Sequence, residues 1–254
     1  MKPHEHLLLF AHPRSGSSSL YQVLQLHPDL HLLEEPFNEN FSRWHPDNPN
    51  YRERVYDIPS LDRQLTAIFA SHNGFKLLDY QLPDDLAAHV LQRPDCKILF
   101  LRRRNLLQAV VSVLLAHQTQ LWKKWDMTQP LAAYYHDLRP LDLTDIQRRV
   151  AALHQHLAFF EALLDRRVGN AVMKLTYEEL YFAPPPRQLE QLAALWDWLG
   201  LAPLTSDRAL YYLQPAAVKL NSRATYELVP NAAAIQAYCG NDVTGWLYEE
   251  PAPR

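Results

Sequence analysis

Short runs of consecutive apolar residues, none long enough to be a helix, recur four times along this chain with helical stretches between them: LLLFA at 7–11, GFKLL at 74–78, KILFLR at 97–102 and AVMKLT at 171–176. A run that is apolar at nearly every position, and not at alternate ones, marks a strand buried on both faces. Strands of that kind separated by helices predict an α/β fold, with a central, mainly parallel sheet flanked by helices in three layers. The helical patterns fall at 18–27, 52–71, 84–92, onward from the N-cap residue Asn105, at 144–165 and at 187–199. Within 144–165 the spacing of Leu153, Leu157, Phe160 and Leu164 is three and four, and Gly200 follows the last helix as a stop.

No repeat or linker divides the chain, so residues 1–254 are expected to form a single domain. Segments 36–60 and 118–145, rich in Pro, Trp, Tyr and His, are expected to leave the sheet and shape a substrate pocket. A hydrophobic content of 48 % supports a sizeable core. The net charge of −3 and pI near 6.4 count against a general nucleic-acid binder, so any cationic site must be local. Cys96 and Cys239 stand far apart with no CxxC or Cys/His pattern, which suggests neither a disulfide framework nor a zinc site. LLLFA is too short for a signal-peptide core and no run reaches the roughly 18 apolar residues of a membrane span, so a cytoplasmic protein is expected.

The first strand runs directly into His12, Pro13, Arg14, Ser15, Gly16, Ser17, Ser18 and Ser19, and a helical pattern begins at Leu20. In such a P-loop-like strand-turn-helix unit the first helical N–H groups have no partner within the helix, and with the helix dipole they form an anion site. The serines add hydroxyl donors, Gly16 lets the backbone approach a ligand, and Arg14 adds a permanent charge. A Walker A turn would continue from Gly16 with a lysine, and here serines follow. A nucleoside triphosphatase also needs an acid near the end of a core strand to hold magnesium. The strand at 97–102 instead runs into Arg102, Arg103 and Arg104, which favour a second anion over a metal ion. Asn105 and Ser112 lie two helical turns apart, about 10 Å along one face, and Arg104 is placed to reach back along it.

Together these segments resemble the sulfotransferases that use 3′-phosphoadenosine 5′-phosphosulfate. PRSGSSSL at 13–20 is similar to the family's 5′-phosphosulfate loop, with Arg14 where many members carry lysine. Arg104 and Ser112, eight residues apart in RRNLLQAVVS, match its 3′-phosphate signature. Within the family, residues 103–122 look closest to bacterial carbohydrate sulfotransferases of the nodulation-factor and trehalose type. HPDLHLLEEPF at 27–37 and KLTYEELY at 174–181 resemble further family segments, the former one of the carbohydrate enzymes.

The resemblance implies a metal-independent enzyme with adenosine 3′,5′-bisphosphate as product and a small-molecule or glycan acceptor. It implies that Glu35 is the base, with Glu34 its rival, and that Arg14 stabilises the leaving phosphate. It also implies a donor site made by Arg14, Ser15, Gly16, Ser17, Ser18, Ser19, Arg104 and Ser112, with Tyr177 and Lys219 covering the adenosine; the family's Arg-Lys-Gly triplet is absent near Lys219 and Ser222. Lys76 reads either as a cleft residue or as a strand-end lysine, and Trp44, Trp122, Trp125 and Tyr134 are candidates to stack on sugar rings. His154 and His156 would point from a helix in different directions, which makes a poor metal pair. Two other functions fit the phosphate motifs: a non-catalytic protein that binds bisphosphonucleotides, and a small-molecule kinase on a divergent P-loop.

Overall fold

A computed structural model describes residues 5–38, 55–169, 171–204, 206–214 and 219–249. Its strands are β1 (His6–Ala11), β2 (Leu32–Glu34), β3 (Gly74–Leu78), β4 (Cys96–Arg102) and β5 (Val172–Thr176). Helices α1 (Ser17–Leu24), α2 (Ile58–Phe69), α3 (Asp84–Leu91), α4 (Leu106–Thr119), α5 (Leu131–Tyr135) and α6 (Leu143–Asp165) precede β5. After it come α7 (Tyr177–Tyr181), α8 (Pro185–Leu199), α9 (Asp207–Leu213), α10 (Arg223–Tyr226) and α11 (Ala232–Cys239).

All strand pairings are parallel, in the order β2-β3-β1-β4-β5. The apolar runs become strands because helices cover both faces. Along β1, Leu8 and Phe10 enter the core beneath α2, α3, α4, α6 and α11, while Leu7, Leu9 and Ala11 enter the core beneath α1, α7, α8 and α9. The short β2 was not among the strands expected from sequence, since three residues are too few to carry a period. Segment 118–145 leaves the sheet as expected, with one 3₁₀ turn (Lys124–Asp126) and α5. Of segment 36–60, residues 39–54, Trp44 included, lie outside the described residues.

An expected helix start and an expected helix stop both hold in detail. The Asn105 side chain accepts from the Gln108 N–H and starts α4, and Gly200, at φ 69°, ends α8 in the left-handed conformation. Both cysteines are buried, and burial pushes the Cys96 thiol up to about 12. Among the described residues no helix is long and apolar enough to cross a membrane.

This topology sets where a ligand can bind. The chain leaves β1 for α1 on one face of the sheet, whereas β3 and β4, the two neighbours of β1, lead to α3 and α4 on the other. Where successive connections part to opposite faces, a crevice opens beyond the carboxyl ends of the strands. Here it opens beyond β1.

Candidate active site

The turn at residues 12–16 is built by local geometry. His12 is fully buried, and burial lowers its pKa despite the nearby Asp79 carboxylate. Its Nδ1–H donates to the Pro13 carbonyl at 2.9 Å while Nε2 accepts from the Arg103 N–H at 2.9 Å. A neutral ring in one tautomer therefore ties the turn after β1 to the turn after β4. The Ser15 hydroxyl donates to the His12 carbonyl at 2.7 Å, so Ser15 shapes the turn from inside.

Arg14 and Gly16 both have positive φ, 63° and 86°. At Gly16 no other residue fits: an added Cβ would lie 2.6 Å from the Tyr181 ring, whose hydroxyl donates to the Gly16 carbonyl at 2.6 Å. Gly16 occupies the N-cap of α1 and offers no side-chain cap, which leaves the turn's N–H groups to a ligand.

Opposite the turn, the Arg14 Nε–H donates to Ser112 Oγ at 2.8 Å and its Nη1 to the Trp122 carbonyl at 2.5 Å. Asn221 Nδ2 donates to the same Ser112 oxygen at 2.7 Å, and the Tyr135 hydroxyl donates to Asn221. The Arg103 guanidinium lies 4.6 Å from the Tyr177 ring centre and donates to Gln108 and to the Arg14 carbonyl. A cavity of about 100 Å³ lies among these groups, lined by Arg14, Gly16, Ser17, Ser18, Ser19, Ser112, Tyr177 and Lys219, together with Arg103, Trp122, Lys123 and Asn221. Lys219 also packs on the Phe182 ring, 5.2 Å from its centre.

Arg104 does not reach back along α4 to Ser112 as expected. Its guanidinium is half-exposed, 3.7 Å from carboxylate oxygens of both Glu178 and Glu179. The cause is Glu178, whose buried carboxylate accepts from the Arg104 and Asn105 backbone N–H groups at 3.0–3.1 Å and draws the guanidinium with it. Arg104 therefore lines a separate cleft of about 980 Å³, on the far side of Arg103 and Tyr177. Arg14 takes the place beside Ser112.

The carboxylates and Lys76 form the third part. Phe75 and Leu77 face the core below α2 and α3, so alternation along β3 turns Lys76 to the α1 side, where its chain is wholly buried. Its Nζ donates to Ser18 Oγ at 2.8 Å and pairs with Glu35 Oε1 at 2.7 Å and Glu34 Oε1 at 3.4 Å. Lys123 Nζ approaches Glu34 Oε1 at 3.3 Å. Glu35 sits just past β2 with φ 51°, and its Oε2 accepts from Asn38 Nδ2 at 2.6 Å and Gln81 Nε2 at 2.7 Å. Burial pushes the Glu35 carboxyl up, but the Lys76 charge, hydrogen bonds from Lys76 and Asn38 and the Lys123 charge outweigh it and hold the carboxyl below its usual value. Glu35 is thus an ionised carboxylate at neutral pH, one lysine away from the serine turn.

Sequence reading gave no role to Tyr135 or Gln81, named Arg103 only as one of three arginines after β4, and gave Asn221, between Lys219 and Ser222, no role of its own. The Asn221 signal was at hand, since it adjoins Lys219 and Ser222, but Gln81 has none. Ser222 accepts within the cap of α10 and holds that helix start. Tyr134 is engaged with Thr128, whereas Trp122 and Trp125 are 40 % and 46 % exposed at the cavity rim. Among the described residues no group of His, Cys, Asp and Glu could hold a metal ion.

No protein-family model and no curated protein matches this chain. Among solved structures it is similar to the mouse sulfotransferase SULT7A1 complexed with PAP, at 16 % identity and TM-score 0.46, over 88 % of this chain and 66 % of that one. It is similar to the sulfotransferase domain of the curacin biosynthetic pathway at 15 % identity and TM-score 0.48, over 83 % and 78 % of the two chains. The sulfotransferase STF1 of Mycobacterium tuberculosis H37Rv gives 14 % identity and TM-score 0.44, over 89 % and 76 %.

Proposed function

We propose that this protein transfers the sulfuryl group of 3′-phosphoadenosine 5′-phosphosulfate to a hydroxyl of a carbohydrate or glycolipid acceptor. The observation that carries the reading is Lys76: one ammonium group touches both the serine turn, at Ser18, and the carboxylate, at Glu35. The serine turn proposed to bind the anion and the carboxylate proposed as base thus lie within one lysine's reach. In the reaction a new S–O bond forms to the acceptor oxygen as the bridging S–O bond to the 5′-phosphate breaks, and adenosine 3′,5′-bisphosphate leaves. Glu35 takes the acceptor's proton.

The turn at Gly16 to Ser19, with Arg14 and Lys76, faces the transferring group and the 5′-phosphate, where donors aimed at developing charge are worth about 3 kcal/mol each. Lys76 also tunes the base. An anion above Ser18 draws its ammonium away from Glu35, and the carboxylate grows more basic as transfer begins. Ser112, with Arg14 and Asn221 beside it, serves the 3′-phosphate, while Tyr177 and Lys219 bound the adenosine. Arg104 reaches this phosphate only by leaving Glu178 and Glu179. Trp122 and Trp125 offer half-exposed ring faces at the rim, which suits a sugar acceptor.

Calorimetric titration with adenosine 3′,5′-bisphosphate, against ATP with magnesium, tests the donor. The reading expects tight bisphosphate binding and no ATP binding. The opposite order would make the protein a divergent kinase.

A further inference from the structure

His156 lies on α6, outside every contact described so far. Its Nε2 is 2.8 Å from Asp84 Oδ1 at the start of α3, and its Nδ1 is 3.5 Å from Asp79 Oδ2 just past the end of β3. One imidazolium therefore clasps both ends of the loop at 79–84. A neutral ring has one N–H and cannot serve two carboxylates. Asp79 is buried, with 4 % of its side chain exposed, so its charge needs a cation. His12 faces Asp79 from the turn after β1 but is held neutral, leaving His156 in that role.

The clasped loop carries a group to the base. Gln81 is fixed by accepting from the Leu78 N–H at 3.1 Å, and its Nε2 then donates to Glu35 Oε2 at 2.7 Å. Tyr80, on the same loop, accepts from Asn38, which is the other donor to that Glu35 oxygen. Both hydrogen bonds on the Oε2 side of Glu35 thus rest on one loop, whose end carboxylates, Asp79 and Asp84, both pair with His156.

We propose that His156 is a positioning residue for Glu35, acting through Asp79, Asp84 and the Gln81 loop they bound. This rests on the reading of Glu35 as the base in sulfuryl transfer. The groups facing His156 are Asp79 and Asp84, with His12 beyond Asp79, and Phe160 packs on it from its own helix. Hydrogen bonding to Asp79, opposed by burial and helped by Asp84, raises its pKa to about 9. The clasp is therefore closed below that value and is lost as pH rises through it.

Three measurements on the full chain test the idea. In His156→Gln, kcat falls roughly tenfold to a hundredfold while bisphosphate affinity holds, as expected for a base shifted by a fraction of an ångström. In Asp84→Asn, a change at an exposed carboxylate that leaves the core intact, the alkaline fall in kcat moves to lower pH. The Glu35 carboxyl, followed by ¹³C NMR, titrates closer to ordinary glutamate in His156→Gln than in the wild type. Wild-type kcat, pH profile and Glu35 midpoint in both variants would overturn the proposal. A Glu35 midpoint that moves in His156→Gln, alongside a wild type that transfers no sulfuryl group, would establish the coupling and sink the sulfotransferase reading instead.

Discussion

The turns after β1 and after β4 are built to one plan, a core strand running through polar residues into a helix, yet their free donors differ. At the second turn Asn105 caps α4 with its own side chain, and the Glu178 carboxylate takes the backbone N–H groups of Arg104 and Asn105. At the first, Gly16 caps nothing, and serine hydroxyls and Lys76 stand over the opening. A helix start is an anion site only where its donors are not already spent. On the proposed reading the second turn contributes through the flank of its helix, at Ser112, rather than through its own N–H groups.

The contrast can be broken most severely at Gly16. Gly16→Ala places a Cβ against the Tyr181 ring in a left-handed backbone, which should cost about 1–3 kcal/mol of stability, seen in thermal melts, and abolish bisphosphate binding. Arg14→Ala removes the charge shared by the turn and Ser112. A charge-assisted bond worth about 1.5–3 kcal/mol corresponds to a roughly tenfold to hundredfold weaker bisphosphate affinity in calorimetry. Glu178→Gln tests the second turn, because it removes the charge that holds two backbone N–H groups and sets an NH2 against the Arg104 N–H; a loss of about 1–3 kcal/mol in denaturant melts is expected, with the first turn still binding. Arg104→Ala should matter least, changing bisphosphate affinity by less than about threefold, since its pairs are long and half-exposed. A larger effect would mean that Arg104 swings to Ser112 when the ligand binds.

The same contrast explains what could be read from sequence. β1, β3 and β4 were legible because burial on both faces demands nearly unbroken apolar runs, the partly buried edge strand β5 by its shorter apolar stretch, and the Arg14 to Ser19 turn because its residues are consecutive. The Arg104 side chain lies elsewhere than helical spacing suggested, because spacing fixes where Cα atoms lie but not which carboxylate pairs with the side chain, and Glu178 comes from the first turn of α7, far along the chain. The candidate base, Glu35, was suggested only by family likeness. Its surroundings gather Lys76 from β3, Gln81 from the following loop and Asn38 from beyond β2, and no local pattern joins them.

The central claim is that Glu35 receives the acceptor's proton beside a donor-binding turn. Single-turnover transfer from radiolabelled sulfonate donor to carbohydrate acceptors, compared between wild type and Glu35→Gln, tests it most directly. The account predicts transfer by the wild type and a rate lower by roughly a hundredfold to ten-thousandfold in the variant, with bisphosphate affinity retained. Equal rates in the two proteins would contradict it.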